Sequence, residues 1–112
     1  MSYSRAVMRK MVGLLPRRSD MTPEQFREYW NTTHAEITAK VPGLRSYVQN
    51  VCLPDESGDP AYDGVAVLGF DDAAGMEKAL ATPEWEAVLA DVPKFCDDSR
   101  IVIMIADEHV VV

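Results

Sequence analysis

Four stretches of the chain have the hydrophobic pattern of β-strands. Residues 6–15, 62–70 and 99–106 are nearly continuous in apolar side chains, and residues 44–53 follow a Pro-Gly break. Short apolar runs that are bounded by proline, glycine and small polar residues are typical of strands. The pattern therefore predicts a β-strand at each of these four places.

The first interval between strands has the signals of a helix. Thr22 precedes Pro23 and lies three residues before Gln25, which combines an N-cap, a first-turn proline and a capping box. The spacing predicts a helix from residue 22 to about residue 40. The apolar face of this helix, at 3.6-residue spacing, consists of Phe26, Trp30, Thr33 and Ile37.

Two shorter helices are predicted after the third strand. Asp71 or Asp72 can cap the first of them, which runs to about residue 81, and Thr82 caps the second, which runs to about residue 91. Asp71, Asp72 and Asp91 are assigned to helix capping or to solvation, the ordinary roles of aspartate near helix ends.

The order of the predicted elements is β-α-β-β-α-β, which indicates an α+β, ferredoxin-like split βαβ fold with a four-stranded antiparallel sheet. At 112 residues, the chain is expected to form one domain over residues 1–112. Right-handed crossovers put both helical regions on the same face of the sheet. Because the first, third and fourth strands are apolar on both faces, the other face also needs a cover. We therefore expect a homodimer in which two sheets pack face to face.

Composition narrows the classes of partner. With 11 Lys+Arg against 18 Asp+Glu, the formal charge of −7 argues against nucleic acid binding, which requires a basic surface. No apolar run approaches the length of a membrane span or of a secretory signal. We therefore expect no membrane partner and a cytoplasmic location. Cys52 and Cys96 lie far apart and are expected to be free thiols.

The candidate chemistry lies in His34 and Tyr47. A helical wheel puts His34 at the edge of the buried face, where it acts either as a packed structural residue or as an acid and base. Tyr47 lies on the second strand and shares a face with Arg45 and Gln49, so a phenol, a guanidinium and an amide can point towards a ligand. The residues expected to contact the substrate are Trp30, Arg45, Gln49 and Trp85.

Three ordered motifs carry a family resemblance. They are Phe26-x2-Tyr29-Trp30-x3-His34, then Pro42-Gly43-Leu44-Arg45-x-Tyr47-Val48-Gln49-Asn50, then Tyr62-Asp63-Gly64-Val65-Ala66. In this order and spacing, nearly the whole chain resembles the EthD-like family of dimeric α+β barrel proteins. The resemblance implies a homodimer whose two sheets enclose a mostly apolar cavity in each subunit.

The resemblance also implies roles for single residues. His34 corresponds to the acid/base histidine of a muconolactone methylisomerase of that family, and Tyr47 corresponds to its active-site tyrosine after the Pro-Gly-Leu turn. Many members have proline two residues after the histidine, where this chain has Glu36. The helix is therefore expected to continue more regularly past His34, and Glu36 can orient the imidazole only if the helix ends early.

Together, these residues and the family resemblance predict a cofactor-independent enzyme of the isomerase, cyclase or lyase type. The expected substrate is a small hydrophobic cyclic carbonyl or aromatic compound such as a lactone, quinone or polyketide. Two alternatives stay open: a cofactor-free monooxygenase of phenols or hydroquinones, and a non-catalytic accessory protein of an oxidative degradation pathway. No metal site is expected, because the two histidines have neither a cysteine pair nor a carboxylate motif beside them. No cofactor is expected, because no glycine-rich phosphate-binding motif is present.

Overall fold

Two central strands organise the computed structural model, which describes residues 7–112. They are β1 (Arg9–Leu15) and β3 (Gly64–Phe70), which pair antiparallel. β2 (Ser46–Val51) pairs with β3, and β4 (Val102–Asp107) pairs with β1, so the strand order is β2-β3-β1-β4. The predicted ferredoxin-like α+β fold with a four-stranded antiparallel sheet is confirmed. The predicted start of the first strand, at Ala6, lies outside the described residues.

The helices begin where their caps were predicted. Thr22 Oγ1 accepts from the Gln25 N–H at 3.1 Å, and Gln25 Oε1 accepts from the Thr22 N–H at 2.9 Å, which completes the capping box. Asp72 and Thr82 cap the two later helices. The helical segments are α1 (Pro23–Tyr29), a π-helical turn (Trp30–His34), α2 (Ala35–Ala39), α3 (Ala73–Leu80) and α4 (Pro83–Asp91), with 3₁₀ turns at Val92–Lys94 and Asp98–Arg100.

The π-helical turn changes which side chains of the first helical region face the core. The prediction that Thr33 lies on the buried face is wrong, because Thr33 is exposed. A π turn contains more residues than an α turn, since its hydrogen bonds run from i to i+5. Residues spaced by four therefore return to the same side of the helix. The buried positions are Phe26, Trp30, His34 and Thr38.

The core lies between the helices and one face of the sheet. The aromatic rings of Phe26 and Trp30 have centroids 5.4 Å apart, and those of Phe26 and Phe95 are 5.6 Å apart. From the sheet, alternate residues of β1 and β3 point towards these rings. These buried strand residues include Met11, Leu15, Ala66, Leu68 and Phe70.

The other face of the sheet is apolar and, among residues 7–112, no element covers it. Val67 lies on this outer face, because its neighbours Ala66 and Leu68 point into the core. On the edge strands, Val48 is 52% exposed and Met104 is 47% exposed. The predicted apolar outer face is therefore present. Over the same residues, no helix has the length and apolar character needed to cross a bilayer.

Gly64 allows the Trp30 indole to lie directly against β3. A Cβ atom added at Gly64 would be 2.6 Å from both Cη2 and Cζ3 of Trp30, closer than packed carbon atoms approach. Gly13, on the paired strand β1, is less restricted. Its added Cβ would be 3.3 Å from Cδ1 of Ile103, the flexible end of a side chain on an edge strand.

We predict that Gly64→Ala destabilises the protein by about 1–3 kcal/mol, the usual effect of forcing an extra methyl group into a packed core. Gly13→Ala is the matched control in the neighbouring strand and should change stability by less than about 1 kcal/mol, since Ile103 can move and the loss of a strand glycine offsets the crowding. Urea unfolding followed by tryptophan fluorescence measures both. Equal free energies of unfolding for the two variants would contradict the close approach of Trp30 to β3.

Candidate active site

A cavity of about 60 Å³ lies between the inner face of the sheet and the helices. This volume is several times what one water molecule requires. Its wall is almost entirely apolar, with strand residues on one side and helix residues on the other. The aromatic and polar residues that line it are Trp30, His34, Thr38, Tyr47 and Trp85.

His34 is held by a buried carboxylate. Its Nδ1 lies 2.8 Å from Oδ2 of Asp91, at the last residue of α4, and the two side chains are 6% and 2% exposed. The Tyr29 hydroxyl donates to Oδ1 of Asp91 at 2.6 Å. Nζ of Lys94 lies 3.6 Å from the same oxygen. Since Phe95 also packs on the imidazole with ring centroids 4.6 Å apart, the orientation of His34 is fixed from two sides.

The environment keeps Asp91 ionised and His34 neutral near neutral pH. Burial alone would raise the pKa of Asp91, but the hydrogen bonds from Tyr29 and His34 outweigh it and leave that pKa below its ordinary value. Burial lowers the pKa of His34 below 6.5, and Asp91 offsets only part of this effect. Burial and the neighbouring carboxylate raise the pKa of Tyr29 to about 12, so its hydroxyl remains a donor.

These charge states determine the tautomer of His34. An ionised carboxylate can only accept hydrogen bonds, so Nδ1 of His34 must carry the proton that lies towards Asp91. Nε2 then has a free lone pair. No side chain or backbone group within residues 7–112 bonds to Nε2, and His34 lines the cavity. The arrangement therefore presents a neutral imidazole base to the cavity.

The lowered pKa values of His34 and Asp91 both make the folded protein less stable as the pH falls. His34 and Asp91 have lower pKa values in the folded chain than in the unfolded chain, so the unfolded chain binds more protons as the pH falls. The stability contributed by this pair is complete above pH 6.5 and is lost as the pH falls, first through the range in which His34 titrates and then through that of Asp91.

Tyr47 approaches the cavity from β2. Its hydroxyl oxygen accepts from Nε2 of Gln49 at 2.8 Å. Burial raises the pKa of Tyr47, and the nearby groups of Gln49, Thr38 and Trp30 lower it only in part. The phenol is therefore protonated at neutral pH, so the cavity contains one base and one hydroxyl donor.

The structure separates the other predicted site residues into two groups. Trp30 and Trp85 line the cavity, whereas Gln49 does not line it and bonds to Tyr47 instead. Arg45 lies outside the cavity, which corrects its expected place beside Tyr47. Because β2 begins only at Ser46, the alternation of the strand does not extend to Arg45, which is exposed and donates to Oδ2 of Asp71 at 3.0 Å.

Asp91 is the residue that sequence reasoning missed. The assignment of Asp91 to capping or solvation is wrong, because its side chain is buried against His34. A signal was present: Asp91 continues the row of Trp85 and Val88 at a spacing of three, so a carboxylate lies on the inward face of α4. Glu36 is exposed within α2, which continues past His34 as expected, and it does not orient the imidazole.

Solved structures with this fold come from distant organisms. An EthD family protein of Bacillus halodurans is 27% identical, with a TM-score of 0.78 over 91% of this chain and 99% of that chain. A dimeric ferredoxin-like protein of Thermobifida fusca is 22% identical, with a TM-score of 0.71 over 95% of both chains. A hydroxynitrile lyase of Passiflora edulis is 10% identical, with a TM-score of 0.75 over 96% of this chain and 99% of that chain. The last two likenesses concern the fold alone.

The sequence comparisons identify the family. An uncharacterized 11.0 kDa protein of Rhodococcus erythropolis is 25% identical over 89 residues, which are 80% of this chain and 85% of that protein. The family model of the EthD domain matches residues 18–99, a range that includes His34, Tyr47 and Asp91. The chain belongs to the EthD family.

Proposed function

We propose that this protein is a cofactor-independent enzyme that moves a proton on a small cyclic carbonyl or aromatic compound, in an isomerase, cyclase or lyase reaction. One observation carries the proposal. His34 is buried, its Nδ1 is fixed by Asp91 at 2.8 Å, and its Nε2 is free at the wall of an apolar cavity. A structural histidine needs a partner for its ring, but it does not need a free basic nitrogen that faces a cavity.

The residues supply a balanced proton transfer. Nε2 of His34 takes the proton from a carbon next to a carbonyl group, and the electron pair of that C–H bond forms a new C=C bond. The π electrons of the carbonyl move to its oxygen, which accepts a hydrogen bond from Tyr47. If the enolate is conjugated with a further C=C bond, return of the proton from Nε2 to the γ carbon shifts the double bond, re-forms the carbonyl and completes an isomerisation. If the β carbon carries a leaving group, that group departs with the electron pair of its bond and takes the proton from Nε2, the carbonyl re-forms, and the reaction is a lyase reaction.

The expected size of each effect suits enzymatic catalysis. A positioned base contributes about 10²–10⁴-fold in rate. A hydrogen-bond donor that faces the developing oxyanion contributes about 10²–10³-fold. The apolar wall strengthens both effects because the local dielectric constant is low. Asp91 adds to the action of the base, since it stabilises the imidazolium that forms when His34 takes the proton.

The features of the cavity support a compact and largely uncharged substrate. Its volume of about 60 Å³ is small, and its wall offers few polar groups. Moving a carboxylate from water into such a site is strongly unfavourable without a paired cation. A lactone, a quinone or one ring of a polyketide meets the requirement of low charge. Such a ring is larger than the cavity, since benzene occupies a cavity of about 150 Å³. Because the cavity is partly open to the surface, only the carbonyl edge of the ring has to enter it. The Passiflora edulis hydroxynitrile lyase has the same fold, so a lyase reaction is compatible with this scaffold.

We also propose that two copies pack through the outer faces of their sheets as a dimeric α+β barrel. The apolar outer face, with Val48 and Met104 about half exposed, supports this assembly. Proteins of Thermobifida fusca and Bacteroides fragilis that share the fold are described as dimeric. Exposed apolar sheet faces of this kind are typical of interfaces between subunits.

The test of the reaction is turnover of a panel of enol-lactones, hydroquinones and acyl-phenols, run in air and without oxygen. We expect equal product in both conditions and at least a tenfold lower kcat for His34→Ala, because the base is lost. Thr33→Ala is the matched control, since Thr33 neighbours His34 but faces solvent. Product that forms only in air would identify a cofactor-free monooxygenase. Ligands that raise Tm but are never converted would identify an accessory protein.

A second prediction concerns pH. The acid limb of kcat/KM should have an apparent pKa below 6.5, because His34 must be neutral to act and burial lowers its pKa. Asp91→Asn should move this limb to lower pH and reduce kcat/KM by about 10²–10⁴-fold, since the carboxylate no longer favours the imidazolium. Asp72→Asn removes the same charge from a helix cap remote from the cavity and should leave the profile unchanged. If the acid limb of kcat/KM lay at the same pH in Asp91→Asn as in the wild-type protein, the proposed role of the His34–Asp91 pair would be contradicted.

A third prediction concerns assembly. Val67→Glu places a charge on the outer face of β3 and should convert a dimer into monomers in sedimentation velocity experiments, because burying an unpaired carboxylate is strongly unfavourable. Leu89→Glu is the control, since Leu89 is 54% exposed on α4. Monomeric wild-type protein, or an unchanged dimer in Val67→Glu, would contradict packing through the outer face.

A further inference from the structure

The side-chain amide of Gln49 is bonded at both of its ends. Its Nε2 donates to the backbone carbonyl of Trp30 at 2.8 Å and to the Tyr47 hydroxyl oxygen at 2.8 Å. Its Oε1 accepts from Nδ2 of Asn31 at 2.6 Å. The amide therefore links the π-helical turn, which contains Trp30 and Asn31, to the cavity tyrosine on β2.

These partners allow one orientation of the amide. A backbone carbonyl can only accept a hydrogen bond, so the atom of Gln49 that faces the Trp30 carbonyl must be the nitrogen. The two N–H groups of that nitrogen then point at Trp30 and at Tyr47. It follows that Gln49 donates to the Tyr47 oxygen and does not accept from it.

This direction has a consequence for the proton of Tyr47. A phenol has one proton, and Gln49 has no free acceptor atom on the side that faces it. While the phenol is protonated, Thr38, the other hydroxyl of the cavity wall, gives its own proton to the His34 carbonyl at 2.9 Å, so its oxygen is left to accept near Tyr47. Thr38 can donate to Tyr47 once the phenol ionises, which lowers the pKa of Tyr47. The Tyr47 proton is therefore directed to the Thr38 oxygen or to a ligand in the cavity.

We propose that Gln49 is a positioning residue that turns the Tyr47 proton away from the sheet and into the cavity, so that the site selects ligands with a neutral acceptor oxygen such as a ketone, lactone or quinone carbonyl. The selection deepens the proposed proton transfer and rests on it, because the carbonyl oxygen is where negative charge develops. A ligand that offers only a hydroxyl donor finds no matching acceptor at Tyr47.

A second buried hydrogen-bond donor also favours ligands with an acceptor oxygen. Nε1 of Trp30 is fully buried and lies close enough to the Tyr47 hydroxyl to lower its pKa, but within the described part of the chain it makes no hydrogen bond of standard geometry. Buried N–H groups are nearly always paired in proteins. Near Trp30 and Tyr47, the site therefore has more hydrogen-bond donors than acceptors. A carbonyl oxygen of a ligand can accept a hydrogen bond there.

The direction of the Gln49–Tyr47 hydrogen bond can be measured without turnover. The protein is prepared with 3-fluorotyrosine, whose phenol is more acidic than that of tyrosine, and Tyr47 is titrated by ¹⁹F NMR after assignment with Tyr47→Phe. Gln49→Met should raise the pKa of this phenol, because the phenolate loses a donor. Gln25→Met, the same substitution in the exposed capping box, should leave it unchanged. An unchanged or lower pKa of Tyr47 in Gln49→Met would overturn the proposal.

A second measurement does not depend on the folding of Gln49→Met. In Tyr47→Phe, one of the two Gln49 Nε2 protons loses its acceptor, so its signal in a ¹⁵N-resolved spectrum should move upfield while the other, bonded to the Trp30 carbonyl, stays in place. Two unmoved signals would show that Gln49 does not donate to Tyr47.

Rates form a separate part of the test. With a substrate from the panel, Tyr47→Phe should lower kcat on the order of 10²-fold. Gln49→Met should lower kcat by a similar factor, and the double variant should be no slower than Tyr47→Phe, because Gln49 acts through Tyr47. A double variant in which the two losses multiply would overturn the positioning role. If no compound is converted, the proposed reaction fails, while the NMR measurements still decide the direction of the hydrogen bond.

Discussion

The buried contact between Asp91 and His34 is the interaction on which the candidate site depends. It joins the end of α4 to the π-helical turn, two segments 57 residues apart in sequence. Burying a carboxylate is unfavourable by several kcal/mol unless hydrogen bonds and charges compensate it. Here Tyr29, His34 and Lys94 provide that compensation. Because an apolar pair of similar volume is often at least as stable, the stability of the fold alone gives no reason for a buried carboxylate and imidazole at this place.

The π-helical turn makes this contact possible. In a regular α-helix, the spacing from Phe26 to Thr38 would carry side chains away from the core, since each step of four residues advances the helical position. The wider turn at Trp30–His34 compensates for this advance, so Trp30, His34 and Thr38 all face the cavity. The same turn offers the Trp30 carbonyl to Gln49. One local irregularity therefore orients both the base and the amide behind the tyrosine.

The sequence was sufficient for the features that depend on local chemistry. Thr22, Asp72 and Thr82 begin helices because their side chains bond to nearby backbone N–H groups, and such contacts can be read from spacing. The ferredoxin-like fold with a four-stranded antiparallel sheet followed from the order of the elements. His34 and Tyr47 were expected from their motifs to belong to one site, and both line the same cavity, while their catalytic roles stay a prediction.

The missed features depend on tertiary contacts. Residues Trp30 to His34 contain no proline or glycine to mark a π turn, so Thr33 was expected in the core and His34 at its edge. The partner of His34 lies on another helix, and spacing within one helix cannot identify it. Arg45 was expected beside Tyr47 because the second strand was predicted to begin at residue 44. Since β2 begins at Ser46, Arg45 precedes the strand and its side chain does not follow the alternation of the strand.

The cavity and the proposed interface are formed by opposite faces of the same strands. A movement of a strand at one of them therefore also moves the other. Side chains alternate along β4, so Ile103 lines the cavity while its neighbour Met104 points to the outer face. β4 is an edge strand that is paired on one side with β1, and Ile103 is still 52% exposed. In the proposed dimer, a partner that packs on Met104 restricts the movement of β4 and with it one wall of the cavity. In the proposed dimer, the interface would therefore contribute to the rigidity of the site without contact with the ligand.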